Sequence, residues 1–167
     1  GFRAPSWSVN DKIANWFYLI LEEEGLIYSS SVYPAKTFLY GMPNVPQYIH
    51  KAGNTSILEI PQQLLNLWVS SIGFAGGAFL RILPASLIKQ GISLKNKHGY
   101  PVFIYLHPWE LIYKKYPVKL SIFNNIIQYW GIRSNPKKIE NICNSFKHSF
   151  VRIDKYTENL LSKHLSI

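Results

Sequence analysis

The chain has 167 residues and a mass of 19.3 kDa, which is long enough for one hydrophobic core and short for two. Apolar residues make up 47% of it, which argues against global disorder, and no apolar run approaches the roughly 18 residues of a membrane span. A single cysteine excludes an internal disulfide and a cysteine-based zinc site.

The net charge of +9 belongs entirely to the second half of the chain. Residues 1–88 carry five basic and five acidic side chains, whereas residues 89–167 carry thirteen basic and four acidic ones. The lysines of this half are scattered, and only two arginines, the side chain that most often reads bases, lie in it. We therefore expect no nucleic-acid site but a solvated basic face, with docking onto an anionic polymer or membrane as the alternative.

The first half predicts one helix and short strands. Asn10 is a candidate N-cap for a helix that Gly25 ends. Its apolar residues have the spacing of a helix packed on one face: Ile13, Trp16, Phe17, Ile20 and Leu21. Strands are predicted at residues 26–28 and 57–60. The long irregular segment between them, residues 33–56, is typical of an ordered loop that is functional or covers something.

The second half alternates helices with one buried strand. Helices are predicted at residues 85–94, at 121–130, from Asn135 onward and from a cap at Asp154 onward. The helix after Asn135 has a predicted inner face of Ile139, Ile142, Cys143, Phe146 and Phe150. A continuous apolar strand at residues 102–106 is typical of a parallel sheet, and a further strand is possible at 151–153. The alternation predicts an α/β architecture.

The first candidate site is the N-terminal Arg-x-Pro sequence. Pro5 favours an extended backbone at residue 4, which places Arg3 at the end of a strand rather than inside a helix. An arginine in that position can hold a carboxylate through two parallel hydrogen bonds. A surface arginine beside a turn is the alternative.

The second candidate site follows the predicted strand at residues 102–106. His107 comes directly after this strand, and sites of parallel α/β folds are built at the carboxyl ends of strands. A histidine there can act as a general acid or base near neutral pH, and Trp109 offers a flat apolar face suited to a sugar ring. A purely structural histidine is the alternative.

A metal site is hard to build from this chain alone. It contains two aspartates and five histidines, and no two histidines have the i, i+3 or i, i+4 spacing of a helical metal clamp.

These two motifs, together with the segment from Gly76 to Pro84, resemble the polysaccharide deacetylases of the NodB-homology family. The resemblance is to the C-terminal portion of the branch associated with bacterial exopolysaccharide loci, which carries a C-terminal extension. It covers residues 1–155. It implies the C-terminal part of a distorted (β/α) barrel, incomplete in this chain: residues 1–112 as the second half of the barrel, and residues 113–167 as a basic, mostly helical extension packed on it.

The resemblance also implies roles for individual residues. Arg3 would orient the catalytic-base aspartate, while its neighbours Pro5 and Trp7 would line the substrate groove. His107 would be the general acid that protonates the departing amine.

Three further residues are candidates for substrate contact. Tyr105 stands where the family commonly has leucine, and Trp109 follows the histidine motif. Arg81 would either contact substrate or take a structural role facing the C-terminal extension.

The implied reaction of the full-length protein is metal-assisted hydrolysis of N-acetyl groups on a polysaccharide or oligosaccharide. The divalent metal would be zinc or similar. The metal ligands and the base aspartate of the family precede the Arg-x-Pro motif, so we expect them upstream of Gly1 and expect the chain alone to be inactive and unable to bind the metal. Uncovered sheet edges predict self-association of this fragment. No signal-peptide pattern is visible, which leaves a cytoplasmic or cell-envelope location open.

The alternative function is that of a degenerate, non-catalytic carbohydrate-binding relative. Four aromatic side chains would then provide stacking surfaces for sugar rings: Trp7, Tyr40, Tyr48 and Trp109.

Overall fold

The computed structural model describes residues 1–37, 41–66, 71–112 and 119–164. Within these ranges the secondary structure is mixed α/β. The helices are α1 (Ala14–Glu23), α2 (Gly77–Ile82), α3 (Ala85–Lys97), α4 (Ile122–Tyr129), α5 (Asn135–Ser145) and α6 (Ile153–His164). The strands are β1 (Tyr28–Ser29), β2 (His50–Lys51), β3 (Leu58–Glu59), β4 (Leu64–Asn66) and β5 (Ser71–Gly73). None of the described helices is long and apolar enough to span a membrane.

The chain divides into two compact units, which are described separately. Unit 1 comprises Gly1–Leu64 and Val151–Ile167, and unit 2 comprises Leu65–Phe150. The domain boundary expected after residue 112 stays a prediction. Within unit 2, α5 packs on α3 and contributes the buried Ile142 to the core.

Unit 1 contains a three-stranded sheet in the order β1-β3-β2. β1 and β3 are parallel, and β2 is antiparallel to β3. Phe2 adds a parallel bridge to Ser29 on the other side of β1. The carboxyl ends of Phe2, β1 and β3 therefore lie at the same edge of the sheet, where parallel folds place their sites.

α1 packs against this sheet with a face shifted from the predicted stripe. Its buried residues are Ala14, Phe17, Tyr18 and Leu21. Trp16 and Ile20 are instead about half exposed, at 53% and 46%. The shift follows from Tyr18, because its hydroxyl group donates a hydrogen bond to Glu59 in β3. This bond places the Tyr18 side of the helix against the sheet.

The core of unit 2 joins residues from α2, α3 and α5. Its buried residues include Phe74, Leu80, Ile88, Ile92 and Ile142. β5 lies in unit 2, as do the last two residues of β4, and the two strands pair as a separate two-stranded sheet. The strands thus form two small sheets, and the barrel architecture stays a prediction.

Several predicted elements differ from the structure. The strand predicted at residues 102–106 is reduced to one parallel bridge, between Tyr105 and Gly76, because α2 starts directly after Gly76. The possible strand at 151–153 is replaced by the start of α6 at Ile153. On α5, Ile142 is buried as predicted, but Cys143 is exposed, and Phe150 is exposed because it lies beyond the end of the helix.

Candidate functional site

Arg3 lies directly after the bridge that Phe2 forms with β1, as its predicted place at a strand end requires. Its Nη2 donates a hydrogen bond to Ser30 Oγ at 2.9 Å. Its guanidinium carbon lies 4.3 Å from the centre of the Trp7 ring, within cation–π distance. The residue as a whole remains exposed. The guanidinium is therefore held on two sides at the sheet edge while it is accessible to an anion.

The turn that brings Trp7 to this position has an unusual backbone. Pro5–Trp7 forms a 3-10 turn in which Ser6 has φ 54° and Trp7 has φ 53°. Two successive non-glycine residues in the left-handed region cost on the order of 1–3 kcal/mol each, and such strain concentrates at functional sites. This turn buries the ring of Trp7 and leaves Pro5 exposed.

Behind Arg3 lies a row of three buried serines, Ser29 to Ser31. The hydroxyl group of Ser30 donates to the carbonyl oxygen of Ile60 at 2.6 Å, which fixes it as an acceptor for the arginine. The hydroxyl oxygen of Ser31 accepts from the backbone N–H of Ala4 at 2.9 Å and from the hydroxyl of Ser29 at 2.8 Å. These bonds tie the arginine segment to the loop after β1.

The loop after β1 is held in turn by Glu59, which is completely buried. Its Oε1 accepts hydrogen bonds from the backbone N–H groups of Ser31 and Val32 at 2.8 and 3.0 Å. Its Oε2 accepts from the hydroxyl of Tyr18 at 3.0 Å. Burial, followed by the negative charge of Glu59 and the hydrogen bond to it, raises the pKa of the Tyr18 hydroxyl above its ordinary value. Tyr18 therefore stays protonated as a donor.

In unit 2, Tyr105 lies flat against a pair of glycines. Its backbone N–H donates to the carbonyl oxygen of Ala75 at 3.1 Å, next to its bridge with Gly76. A Cβ atom on Gly76 would overlap the Tyr105 ring, and one on Gly77, at φ 56°, would meet its hydroxyl at 2.5 Å. The glycines are therefore required for this ring to approach the backbone.

His107 extends this ring contact into an aromatic row. Its imidazole ring lies edge-on to Tyr105, with centroids 5.8 Å apart and an interplanar angle of 82°. On its other side Trp109 is nearly parallel to it, at 6.3 Å and 14°. The residue is exposed. Its backbone N–H donates to Glu110 Oε2 at 2.9 Å, which fixes the start of the 3-10 turn Pro108–Leu111.

Arg81 pairs with the same glutamate. Its Nε donates to Glu110 Oε1 at 2.9 Å, and both side chains are buried. Its Nη1 donates to three backbone carbonyl oxygens around the end of α4: Ile127, Gln128 and Trp130. The guanidinium carbon also lies 5.0 Å from the centre of the Trp109 ring. These contacts engage the Arg81 guanidinium between Glu110 and the end of α4, and its role in substrate contact stays a prediction.

Two residues of α5 complete this network. Asn135 Nδ2 donates to the carbonyl oxygen of Glu110 at 3.0 Å. Lys138 Nζ donates to three carbonyl oxygens at the end of α2: Leu80 at 3.2 Å, Arg81 at 2.6 Å and Leu83 at 2.9 Å. Desolvation, with the positive charge of Arg81, lowers the pKa of Lys138.

The predicted site residues thus form two groups. Arg3, Pro5 and Trp7 lie together in unit 1, where Tyr48 is half exposed. The second group, in unit 2, consists of Arg81, Tyr105, His107 and Trp109. The described residues contain no group of three or more histidine, cysteine, aspartate or glutamate side chains that would hold a metal ion. Tyr40 lies outside the described residues.

Unit 1 also contains a cavity of about 280 Å³ that borders α1. Leu19, Met42 and Val45 contribute apolar surface to it. Its polar lining residues are Asp11, Asn15, His50, Asn54 and Thr55. Met42, Val45, His50, Asn54 and Thr55 come from the irregular segment 33–56, so this segment borders the cavity.

The sequence reasoning missed the two glutamates as supports of the candidate residues. Glu59 had a readable signal, because it is the one charged side chain within the apolar run at residues 57–60. Glu110 stands three residues after His107, the spacing at which a glutamate side chain reaches back to the first residue of a helical turn.

Residues 30–158 match the family model described as Domain of unknown function (DUF3473). The chain belongs to this family. The DUF3473 family is associated with the C-terminal regions of polysaccharide deacetylases. The match includes Ser30, Glu59, His107 and Glu110, whereas Arg3 precedes it. No curated protein and no solved structure matches the chain.

Proposed function

We propose that this DUF3473 chain is the C-terminal part of a polysaccharide deacetylase-like hydrolase, which removes acetyl groups from N-acetylated carbohydrate. The observation that carries the proposal is the placement of Arg3: exposed, directly after a parallel bridge, and held by Ser30 and Trp7. The association of the family with polysaccharide deacetylases supports it. The proposal places the full-length protein in the branch associated with exopolysaccharide loci and gives it a distorted (β/α) barrel.

Arg3 would hold the carboxylate of a base aspartate that another part of the full-length protein provides. A guanidinium forms two parallel hydrogen bonds to a carboxylate, which fixes the orientation as well as the charge of the base. Ser30 and Trp7 restrict the rotation of the arginine, so less entropy is lost when the carboxylate binds.

His107 would serve the leaving group. In amide hydrolysis the base takes a proton from water, and the oxygen of that water bonds to the acetyl carbon. The carbon–nitrogen bond then breaks, and the amine nitrogen takes a proton from protonated His107, leaving a free amine and acetic acid, which releases its proton to water as acetate. Trp109, whose ring is nearly parallel to the imidazole and partly exposed, suits stacking on a sugar ring that carries that nitrogen.

The described residues do not fit a divalent metal site, so no step of this reaction is assigned to a metal held by this chain. The proposal places the ligands of the zinc-like ion, together with the base, elsewhere in the full-length protein.

The test is acetate release from an N-acetylated oligosaccharide by the full-length protein, with and without added divalent metal. We expect His107→Ala to lower kcat by about 10²–10⁴-fold, the range of general acid catalysis, with a smaller change in KM. His148→Ala is the matched control, since this histidine is also exposed and lies outside the aromatic row. Unchanged activity of a folded His107→Ala variant would eliminate the acid role.

Arg3 is tested by replacement with lysine and with alanine. Lysine keeps the charge but cannot form the two parallel hydrogen bonds, so both variants should lose kcat if the base is oriented by the guanidinium. Full activity of Arg3→Lys would show that only the positive charge at this position matters and that the guanidinium does not orient the base.

A non-catalytic carbohydrate-binding protein is the second candidate, and the cavity of unit 1 favours it. Carboxylate, amide, imidazole and hydroxyl groups beside an apolar wall are the lining that a sugar ring requires. Oligosaccharide binding by the full-length protein without acetate release, weakened by Asn54→Ala but not by His107→Ala, would establish this candidate over the enzyme.

A further inference from the structure

Helix α4 presents an uncovered apolar face. None of its residues is buried. Ile122 and Phe123 are 82% and 71% exposed, far more than is usual for such side chains in a helix. The apolar face of α4 comprises five exposed residues: Ile122, Phe123, Ile126, Ile127 and Trp130. Their spacing places them on one side of the helix and leaves Asn124, Asn125 and Gln128 on the other.

Hydrogen bonds hold the two ends of α4, while Ile122 and Phe123 on its apolar face remain largely exposed. Arg81 binds the carbonyl oxygens at its C-terminus, and Gly131, at φ 71°, allows the chain to pass directly against the carbonyl of Arg81. At the other end Ser121 Oγ accepts from the N–H of Asn124 at 3.3 Å. Helices in proteins are normally stabilised by packing their apolar face. Both ends of α4 are instead capped by hydrogen bonds, and its apolar face remains largely exposed.

The charge around α4 indicates which kind of partner this face would bind. No acidic residue occurs between Glu110 and Glu140. Among the described residues of this stretch, Lys119, Arg133 and Lys137 are exposed basic residues, whereas Lys138 is bound to carbonyl oxygens at the end of α2. Of these, Lys119 lies two residues before the N-cap of α4 and is exposed. A second copy of the chain would bring a second set of like charges to the same place, so this charge opposes self-association through α4 and favours an anionic surface.

We propose that α4 is an interfacial helix that binds an anionic lipid bilayer. Its apolar face would insert at the boundary between headgroups and acyl chains, with the axis in the membrane plane and the lysines at the headgroups. Trp130 has the amphipathic ring that is enriched at this depth. Basic residues near an anionic leaflet each contribute about 1 kcal/mol, which is a fivefold change in binding per charge. This inference is independent of the proposed enzyme activity.

The test is co-sedimentation of the full-length protein with vesicles of phosphatidylcholine alone and of phosphatidylcholine with phosphatidylglycerol. We expect binding to the anionic vesicles, at least about tenfold weaker binding to the neutral ones, and loss of binding at high salt. Equal binding to both vesicle types, or no binding to either, would overturn the proposal.

Two substitutions address the apolar face. Phe123→Ser and Ile126→Ser each remove a side chain whose burial in the bilayer contributes to binding, and each should weaken it by about tenfold or more. Both positions are exposed, so the folded structure should persist, which circular dichroism checks. Trp16→Ser and Ile20→Ser are matched controls, because they remove half-exposed apolar side chains from α1, and they should leave vesicle binding unchanged.

A third substitution addresses the charge. Lys119→Glu should weaken binding to anionic vesicles while leaving the apolar face intact. Concentration-dependent dimerisation that Phe123→Ser abolishes, without vesicle binding, would instead identify a second copy as the occupant and refute the lipid proposal. Acetate release in solution is measured in parallel, and its presence or absence leaves the outcome for α4 unchanged.

Discussion

The two units of the chain each bury one glutamate completely, and they stabilise its charge by different means. In unit 1 the carboxylate of Glu59 accepts two backbone N–H groups and the hydroxyl of Tyr18, and none of the described basic side chains forms an ion pair with it. In unit 2 the carboxylate of Glu110 pairs with buried Arg81 and also accepts the N–H of His107. Neutral hydrogen-bond donors therefore stabilise the buried carboxylate in unit 1, whereas a guanidinium charge stabilises it in unit 2.

This difference decides how each candidate residue is positioned. Glu59 binds two segments, the loop after β1 and α1, and the serines that support Arg3 also have partners of their own in Ala4 and Ile60. Glu110 depends on Arg81, which also holds the end of α4. The backbone of His107 is thus coupled through one guanidinium to the helix that we propose as a lipid-binding element.

Removing Arg81 should have the largest effect on stability. Arg81→Met leaves the Glu110 carboxylate buried without a cation, and loss of one partner of a buried pair costs about 3–5 kcal/mol. Urea unfolding of the full-length protein measures this change in the free energy of unfolding. The double variant Arg81→Met, Glu110→Gln should recover part of the loss, because it removes the unpaired charge. A single-variant loss below about 1 kcal/mol would show that the pair is not desolvated in solution.

Replacing Glu59 should cost less, because no cation loses its partner. Glu59→Gln keeps an acceptor for the N–H groups of Ser31 and Val32 but replaces charged hydrogen bonds by neutral ones. The expected loss in the free energy of unfolding is about 1–3 kcal/mol, again measured with urea. A loss as large as that of Arg81→Met would show that Glu59 has a charged partner, and the comparison between the units would then fail.

The local positions of the candidate residues could be predicted from the sequence. The long-range contacts that hold these residues in place could not. Arg3 after a strand end was predicted from Pro5, because that effect is local. The aromatic row of Tyr105, His107 and Trp109 is also local in sequence. The buried Arg81–Glu110 pair joins residues 29 positions apart, and a spacing of this kind has no periodic signal.

The errors in the predicted elements share a physical origin. The stripe of α1 was misread because the aromatic Tyr18 has a polar end whose partner, Glu59, lies 41 residues away. The strand at 102–106 was predicted from apolar composition alone, whereas pairing depends on a neighbouring strand long enough to meet it. Both outcomes therefore depended on partners distant in sequence, which a local pattern does not contain.

Tyr18→Phe tests the unit 1 arrangement through pH. At neutral pH the lost hydrogen bond to Glu59 should cost about 1 kcal/mol. The pKa of Tyr18 in the folded state lies above its ordinary value of 10.0, so above that pH the unfolded chain loses a proton that the folded chain keeps. The stability that Tyr18 contributes is therefore lost as the pH rises, by up to about 1.4 kcal/mol per pH unit.

The measurement compares the urea midpoints of the wild-type protein and Tyr18→Phe as the pH rises from neutral to alkaline. All other tyrosines are common to both proteins, so their titration cancels in the difference. The difference should shrink above about pH 10. A difference that stays constant through this range would mean that Tyr18 titrates normally in the folded protein.

The smallest effect is expected for Glu22, which accepts hydrogen bonds from the hydroxyl and the N–H of Ser56, both at 2.6 Å. These two bonds, the hydroxyl first, lower the pKa of Glu22 below its ordinary value of 4.5. Its contribution to stability is therefore present above that pH and is lost as the pH falls through the lowered pKa. Because Glu22 is in contact with water, which competes for the same hydrogen bonds, Glu22→Gln should shift the thermal midpoint less than Glu59→Gln at neutral pH, and the shift should vanish in acid. Hydroxyl and backbone N–H donors thus contribute little to stability around the surface carboxylate of Glu22 and much around the buried carboxylate of Glu59. Equal shifts for the two variants would contradict burial as the source of this difference.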